Sequence, residues 1–245
     1  MKVYGIIGYP LTHSFSKKYF TAKFETEGLS DLKYELFPVS TIHELKNIIK
    51  DNPYLRGLNV TIPYKQLVLD QLHSSTAIPF GVRACNCIKI VDGKMVGYNT
   101  DITGFEQSLL PLVKNNYSNA LILGNGGAAE AVKYVLRKIN INYKIVSRHV
   151  HDGSHLNYAA LDEKAIKENH LIINTTPLGT YPDSNEYPDI PYQYLTSEHL
   201  LFDLIYNPEK TKFLEKGETQ GAAIKNGSEM LIIQAEESWK IWNED

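Results

Sequence analysis

The chain has 245 residues, of which 43% are hydrophobic and 22% are charged, a composition typical of soluble proteins with one or two domains. Its formal net charge of −3 provides no basic surface for nucleic acid and no polybasic patch for a membrane. No apolar run is long enough to span a bilayer, and the N-terminus reaches Tyr9 and Pro10 too early for a secretory signal. We therefore expect a cytoplasmic protein that binds neither nucleic acid nor membrane.

Strands and helices are predicted to alternate along the first part of the chain. Apolar residues at a spacing of two favour strands, and apolar residues three and four positions apart favour helices. The predicted elements are strands at 3–7, 34–39 and 57–62 and helices at 15–28, 41–50 and 63–72. Asp92 and Gly93 then separate two alternating runs, which is a strong hairpin signal.

The second part of the chain also alternates, with buried apolar strands. The predicted elements are helices at 103–113, 161–169 and 227–242, a strand–turn–helix unit at 120–139, and strands at 143–149, 171–177 and 199–208. This pattern indicates an α/β fold with a parallel, doubly wound sheet. The stretch at 177–195 is rich in proline and tyrosine and too long for an ordinary connection, so we expect a functional loop or lid.

Neither the cysteines nor the clustered histidines predict a metal site. Cys85 and Cys87 are two positions apart on a strand, where the Cα atoms are too distant for a disulfide, so we expect two buried free thiols. His149, His151 and His155 lie in a stretch that reads as a polar loop.

A glycine-rich turn joins a predicted strand to a predicted helix. Gly124, Gly126 and Ala129 fit the pattern G-x-G-x-x-[G/A], in which glycines allow the backbone to approach a pyrophosphate at the helix N-terminus. The alternative is a tight turn without a ligand. The required strand and helix flank the motif, so it favours a dinucleotide site.

The end of the following strand indicates which dinucleotide is bound. NAD-binding proteins place a carboxylate there for the ribose hydroxyls. Here the strand ends in Ser147 and Arg148, and a guanidinium can pair with a 2′-phosphate. The sequence therefore favours NADP, the alternative being that Arg148 is an ordinary surface arginine.

Polar side chains gather at the ends of the first strands and just beyond them. Such groups suit a small polyhydroxylated ligand in the crevice at the carboxyl edge of a sheet. The residues are Ser14, Ser16, Asn59, Thr61, Asn86, Asn99 and Asp101. Taken singly, each could be a cap or turn residue, as Ser14 and Asp101 could be for the helices that follow them.

Lys65 is predicted to lie in the first turn of a helix that begins at Pro63. The positive end of the helix dipole disfavours a cation at that place. This cost, next to the polar residues Asn59 and Thr61, indicates a functional lysine; the alternative is a solvent-exposed lysine.

Eight motifs in one order resemble the NADP-dependent shikimate dehydrogenase family, and together they run nearly the length of the chain. They are IIGYPLTHSFS (6–16), GLNVTIPYK (57–65), ACNCI (84–88), GYNTDITG (97–104), LGNGGAAEA (123–131), INTTPLG (173–179), DLIYNPEKT (203–211) and NGSEMLIIQA (226–235). The resemblance implies an N-terminal substrate domain at 1–100, completed by the C-terminal helix at 226–245, and a Rossmann-like NADP domain at 101–225.

The resemblance also implies a role for each matching residue. Lys65 and Asp101 match the catalytic pair, which would supply a proton during reversible reduction of 3-dehydroshikimate to shikimate by NADPH, in the pathway to chorismate and the aromatic amino acids. The implied substrate contacts are Ser14, Ser16, Asn59, Thr61, Asn86, Tyr206 and Gln234. The implied cofactor contacts are Gly124, Asn125, Gly126, Gly127, Ala128, Ser147, Arg148, Thr175, Ile205 and Gly227. We expect a small-molecule substrate, no metal, and a monomer or homodimer.

Several positions depart from the family pattern but leave Lys65 and Asp101 in place. The departures are Lys17, Arg83, Cys87, Asn125, Ser147 and Thr180. They leave open a quinate/shikimate dehydrogenase of broader range and a non-catalytic NADP-binding sensor on the same fold. A methylene-tetrahydrofolate dehydrogenase-like enzyme is more remote, since the paired serines have no task there.

Overall fold

The computed structural model describes residues 1–11, 14–148, 150 and 155–244. The strands are β1 Lys2–Gly8, β2 Leu32–Pro38, β3 Leu55–Val60, β4 Cys87–Val91, β5 Lys94–Tyr98, β6 Asn119–Leu123, β7 Asn142–Ser147, β8 Leu156–Asn157, β9 Leu171–Asn174, β10 Leu200–Asp203 and β11 Ala223–Lys225. The helices are α1 Phe15–Thr26, α2 Leu45–Asp51, α3 Asp101–Leu109, α4 Gly127–Lys138, α5 Glu163–Lys167, α6 Lys212–Thr219 and α7 Ser228–Asn243. This confirms the α/β class.

The chain divides into two compact units, and each has its own sheet. The first unit comprises Met1–Thr100 and Gln234–Asp245, and the second comprises Asp101–Ile233. The first sheet has the strand order β2-β1-β3-β4-β5, with β1 parallel to β2 and β3 and with β4 antiparallel to β3 and β5. The second sheet has the order β11-β10-β9-β6-β7-β8, and all its pairs are parallel.

The hairpin prediction at Asp92 and Gly93 is confirmed. These two residues connect β4 to β5, and both have positive φ, 49° and 73°. Positive φ at both central residues is what the tight turn of a two-residue hairpin needs, and Asp-Gly adopts it at low cost.

The helix predicted at 63–72 is wrong, and with it the argument that a helix dipole acts on Lys65. β3 ends at Val60, a turn follows, and only a 3₁₀ helix at Leu67–Gln71 remains. The Tyr64 N–H donates to the Thr61 carbonyl at 2.9 Å, which closes a turn instead of opening a helix. The Tyr64 side chain is buried and its hydroxyl donates to the Val39 carbonyl at 2.7 Å, so tertiary packing overrides the local signal of Pro63.

Three elements were not predicted, namely strand β8, helix α6 and strand β11. Strand β11 forms one edge of the second sheet, beside β10, and β8 forms the other, beside β7. The stretch at 177–195, expected to be a functional loop or lid, has Ile190 and Leu195 buried in the core of the second unit. Tyr192 packs edge-on against Phe213 with ring centroids 6.4 Å apart, so the later part of this loop is a packed element of the unit.

Helix α7 packs its last turns on the first sheet. The Trp242 indole is buried with Tyr4, Phe20 and Tyr34, and its Nε1–H donates to the Ile88 carbonyl at 3.0 Å. A Cβ placed on Gly57, in β3, would lie 2.3 Å from Trp242 Nε1. Glycine at this strand position therefore makes room for the tryptophan.

A buried carboxylate ties together the strand ends in the second unit. Asp203, at the end of β10, has no exposed surface; it accepts hydrogen bonds from Asn174 Nδ2 at 3.1 Å, the Ile205 N–H at 3.0 Å and the Thr211 hydroxyl at 2.6 Å. Burial raises the pKa of Asp203 from 3.8 to about 6, although these three donors oppose the shift. The carboxyl edge of β9 and β10 is thus fixed by one titratable group.

Replacing Gly57 by Ala is expected to lower the free energy of unfolding by about 1–3 kcal/mol, because the added methyl group overpacks the strand against Trp242. In a Trp242→Leu background the cost of the same substitution should fall. Urea denaturation of the four proteins measures both costs. Equal costs in the two backgrounds would show that the strain does not come from the indole.

Asp203→Asn is expected to change how stability depends on pH. Because the folded pKa of Asp203 lies above its unfolded value, the folded state binds the proton more tightly, and its stability rises as pH falls through about 6. From about pH 7.5 to about pH 5, the unchanged protein should gain about 1 kcal/mol relative to Asp203→Asn. Exposed Asp183→Asn is the control and should follow the unchanged protein; a parallel pH profile for Asp203→Asn would contradict the assignment.

Candidate functional site

The paired serines lie at the start of α1. Ser14 is the N-cap, and its hydroxyl accepts from the Lys17 N–H at 3.2 Å. Ser16 is buried, and its side chain hydrogen-bonds with Tyr34. The Lys17 ammonium donates to the Tyr34 carbonyl and pairs with Glu35 at 2.8 Å, so this departure from the family pattern fastens α1 to β2.

Thr61 and Lys65 lie in the turn after β3. Thr61 is half-buried, and its N–H donates to the Ile7 carbonyl at 3.0 Å. A Cβ on Gly8 would lie 2.4 Å from the Thr61 methyl group, so glycine is needed for this approach. Lys65 is half-buried, and its carbonyl accepts from the Cys85 N–H at 2.7 Å, which holds its backbone beside the segment leading to Asn86.

Three candidate substrate residues, Asn59, Asn86 and Gln234, belong to one buried hydrogen-bond network. Asn59 Nδ2 donates to the Asn86 carbonyl at 3.3 Å and to Ser238 Oγ at 3.0 Å. Asn86 Nδ2 donates to Thr100 Oγ1 at 2.9 Å and to Gln234 Oε1 at 3.3 Å. The Thr100 N–H donates to Asn86 Oδ1 at 2.7 Å, and Thr100 Oγ1 lies 3.1 Å from Ser238 Oγ.

Tyr34 extends this network to Ser16, one of the paired serines. Its hydroxyl donates to Asn59 Oδ1 at 2.8 Å and also bonds with Ser16. Burial raises the pKa of Tyr34 well above its usual value, so the hydroxyl keeps its proton. A continuous set of hydrogen bonds therefore runs from Ser16 to Gln234 within the first unit.

Asp101 is the first residue of α3 and is buried, directly after Thr100. Lys65 belongs to the first unit and Asp101 begins the second. A carboxylate in the first turn of a helix is favoured by the helix dipole.

In the second unit, the glycine-rich turn has the geometry that the motif predicts. Gly124 has φ +103°, and a Cβ there would lie 2.8 Å from Thr175 Oγ1. Gly126 is exposed with open space around it and is the N-cap of α4, and Gly127 and Ala128 form the first turn. The first N–H groups of a helix have no partner inside the helix, so this turn can bind an anion.

Asn125 is held by a lysine from the helix that follows it, α4. Lys133 Nζ donates to Asn125 Oδ1 at 3.4 Å and pairs with Glu130, which is buried in the first turn of α4. The departure from the family pattern at Asn125 thus orients the loop side chain through Lys133.

The other candidate cofactor residues lie at the carboxyl edge of the second sheet. Ser147 ends β7, and Arg148 follows it with an exposed side chain. Thr175 donates to the Leu123 carbonyl at 2.8 Å, and the Gly227 N–H donates to the Ile205 carbonyl at 2.9 Å. Tyr206, a predicted substrate contact, follows β10 and is 38% exposed.

The remaining sequence expectations concern thiols, metals and membranes. Cys85 and Cys87 are buried and free, as predicted. His149 and His151 lie outside the described residues. Within the part of the chain that the structure describes, no group of three or more His, Cys, Asp or Glu side chains could hold a metal ion, and no helix is long and apolar enough to cross a bilayer.

Sequence reasoning missed the residues that orient the candidate site. Tyr34 reads as an inward residue of a strand, and Ser238 reads as a polar residue on the solvent face of α7. Thr100 was flagged only as part of a motif. The one available signal was the spacing of Gln234, Ser238 and Trp242, which are four positions apart and share a helix face.

Comparison with known proteins gives consistent matches. Residues 6–88 match the shikimate dehydrogenase substrate binding domain. A shikimate dehydrogenase (NADP(+)) of Staphylococcus haemolyticus (strain JCSC1435) is 36% identical over 250 residues, which cover 98% of this chain and 91% of that protein.

Solved structures agree with this match. A crystal structure of a shikimate dehydrogenase in complex with NADP+ has a TM-score of 0.85 at 33% identity, covering 99% of this chain and 90% of the other. A shikimate 5-dehydrogenase from Thermus thermophilus, in complex with NADP(H) and shikimate, has a TM-score of 0.84 at 26% identity, covering 99% and 94%. On the strength of relatives this similar over nearly its whole length, the chain belongs to the shikimate dehydrogenase family.

Proposed function

We propose that this chain is an NADP-dependent shikimate dehydrogenase, which reversibly reduces 3-dehydroshikimate to shikimate on the route to chorismate and the aromatic amino acids. The observation that carries the proposal is the family match over 98% of the chain, together with a buried polar network built from the candidate substrate residues. The first unit is the substrate domain and the second the cofactor domain. The enzyme is cytoplasmic and acts as a monomer or homodimer on a small-molecule substrate.

The residues of the second unit fit NADP. Gly124 leaves no room for a side chain beside Thr175, and the open space at Gly126 leaves room for a pyrophosphate at the N-terminus of α4. Gly124, Asn125, Gly126, Gly127 and Ala128 would hold that group. The exposed guanidinium of Arg148, with Ser147 beside it, would pair with the 2′-phosphate.

Thr175, Ile205 and Gly227 would form the remaining wall of the cofactor site. Asp203 holds the Ile205 N–H, and Ile205 in turn accepts from Gly227, so this wall is fixed by backbone hydrogen bonds. A Cβ on Gly227 would lie 2.2 Å from the Leu204 carbonyl oxygen, so only glycine fits there. NADPH supplies the hydride when it is bound.

The first unit would bind and orient the substrate. Ser14 and Ser16 would hold the ring carboxylate, and Asn59, Thr61, Asn86, Gln234 and Tyr206 would line the ring and its hydroxyls. Lys65 would donate a proton to the oxygen of the keto group as it is reduced, and Asp101 would hold the ammonium group in place. In the reverse direction, Lys65 would accept the proton from the substrate hydroxyl.

The backbone contacts around Lys65 support its proposed role as proton donor. Its backbone is tied to Cys85, one residue before Asn86, and the turn that carries it is anchored by the buried Tyr64 side chain. Proton transfer requires the donor within hydrogen-bond distance of the reacting oxygen, and a turn fixed at both ends can meet that requirement.

Oxidation of shikimate, followed at the nicotinamide absorbance band, is the direct test. We expect turnover with shikimate and NADP, and a kcat/KM about tenfold or more lower with NAD, the factor that one charge-assisted hydrogen bond from Arg148 provides. The same assay is then run with quinate in place of shikimate. Equal rates on quinate would favour the broader enzyme, and tight NADPH binding without turnover on either acid would favour the non-catalytic sensor.

Lys65→Met is expected to lower kcat by about 100- to 10,000-fold, the contribution of a positioned acid–base group. NADPH binding, measured by fluorescence titration, should stay within about twofold of the unchanged enzyme because Lys65 lies outside the cofactor domain. Lys46→Met, at an exposed position on α2, is the control and should retain full activity. Substantial turnover in Lys65→Met would overturn the proton-donor assignment.

A further inference from the structure

The amide orientations in the first unit are fixed by groups that can act in only one way. The Thr100 backbone N–H can only donate, so the Asn86 atom that faces it is Oδ1. Asn86 Nδ2 then faces Gln234, whose facing atom must be the acceptor Oε1. The Asn86 backbone carbonyl can only accept, so Asn59 turns Nδ2 towards it and Oδ1 towards the Tyr34 hydroxyl.

Ser238 links the side chains of Asn59 and Thr100 in this network. Its hydroxyl donates to the Gln234 backbone carbonyl at 2.8 Å, which uses its only proton. Ser238 Oγ accepts from Asn59 Nδ2 at 3.0 Å. The Thr100 hydroxyl lies 3.1 Å from Ser238 Oγ and 3.4 Å from Gln234 Oε1, and it is the donor towards both oxygens. Thr100 Oγ1 in turn accepts from Asn86 Nδ2 at 2.9 Å, so the side-chain protons of Asn59, Asn86, Thr100 and Ser238 all have acceptors.

Ser238 and Thr100 are buried, at 0% and 1% exposed, so water cannot replace either hydroxyl. If the Ser238 hydroxyl is removed, one proton of the buried Asn59 Nδ2 loses its acceptor, and the Thr100 hydroxyl keeps only the longer contact to Gln234 Oε1, at 3.4 Å. An unsatisfied buried donor is costly, and side chains rotate to avoid it. The backbone groups would still set which way the Asn59 and Asn86 amides face, but the side chains of Asn59 and Thr100 would no longer be held at one position.

We propose that Ser238, acting through Asn59 and Thr100, is a positioning residue that holds the amides of Asn59, Asn86 and Gln234 in place and thereby sets recognition of the substrate ring hydroxyls. This inference rests on the proposed function. Neither hydroxyl is assigned a contact with substrate; each acts through the amides that it holds in place. Because Gln234 Oε1 accepts inside the network, Gln234 would meet the substrate as a donor.

Ser238→Ala is the main test. We expect the KM for shikimate to rise about tenfold, while the KM for NADP changes less than about twofold, because the loss concerns one hydrogen-bonding site and not the cofactor unit. Removing one ring hydroxyl from shikimate should lower kcat/KM by a smaller factor in this variant than in the unchanged enzyme. A merely structural loss would lower the folded fraction and hence kcat, and would leave KM and this ratio unchanged.

Ser108→Ala is the matched control. Ser108 is also a buried helical serine, 1% exposed, and its hydroxyl donates to the carbonyl four residues earlier, at Gly104, at 2.8 Å. It lies in the second unit, outside the network, and its replacement should leave the KM for shikimate unchanged. Thermal unfolding of both variants separates stability from recognition.

Thr100→Val and Thr100→Ser form a second, independent pair. Thr100→Val removes the hydroxyl at constant shape and should raise the KM for shikimate as Ser238→Ala does. Thr100→Ser keeps the hydroxyl and should have the KM of the unchanged enzyme. If Ser238→Ala does not fold, the two Thr100 variants test the inference in its place. Wild-type KM values in active Ser238→Ala or Thr100→Val would overturn the inference alone; an unchanged chain without turnover on shikimate would overturn the proposed function and this inference with it.

Discussion

The face of α7 that carries Gln234, Ser238 and Trp242 is the contact on which the first unit depends. These side chains are four positions apart, so they point to the same side of the helix. Trp242 fills the space left by Gly57, Ser238 receives the amide of Asn59, and Gln234 receives that of Asn86. A segment from the far end of the chain thus sets both the core packing and the orientation of the candidate site.

The two units build their sites by different physical means. In the first, buried side-chain amides and hydroxyls satisfy one another, and a network of this kind is rigid only when every member is paired. In the second, the backbone does most of the work, since Gly124 and Gly227 each stand where a Cβ would collide with a neighbour. The Asp203 carboxylate helps to hold that backbone in place, because it accepts a hydrogen bond from the Ile205 N–H.

Much of the fold could be predicted from local sequence, because strand alternation, the Asp92-Gly93 turn and the glycine motif act over a few residues. The failures came where distant contacts decide. Pro63 was expected to start a helix, but the buried Tyr64 hydroxyl bonds to Val39 and draws the chain into a turn. Ser238 could not be found from its neighbours, since its partners are Asn59 and Thr100, far away in sequence.

The correction at Lys65 changes which forces place the proposed acid. A helix dipole would have acted on the Lys65 charge from the residue's own helical turn. In the structure, a hydrogen bond from another segment of the chain holds the Lys65 backbone instead. The Cys85 N–H bonds to the Lys65 carbonyl, and Cys85 is itself fully buried, with its Sγ 3.1 Å from where a Cβ on Gly97 would stand. The same short segment that carries Cys85 carries Asn86. The lysine and the amide that would meet the substrate are therefore positioned together, by one backbone hydrogen bond and the core beneath it.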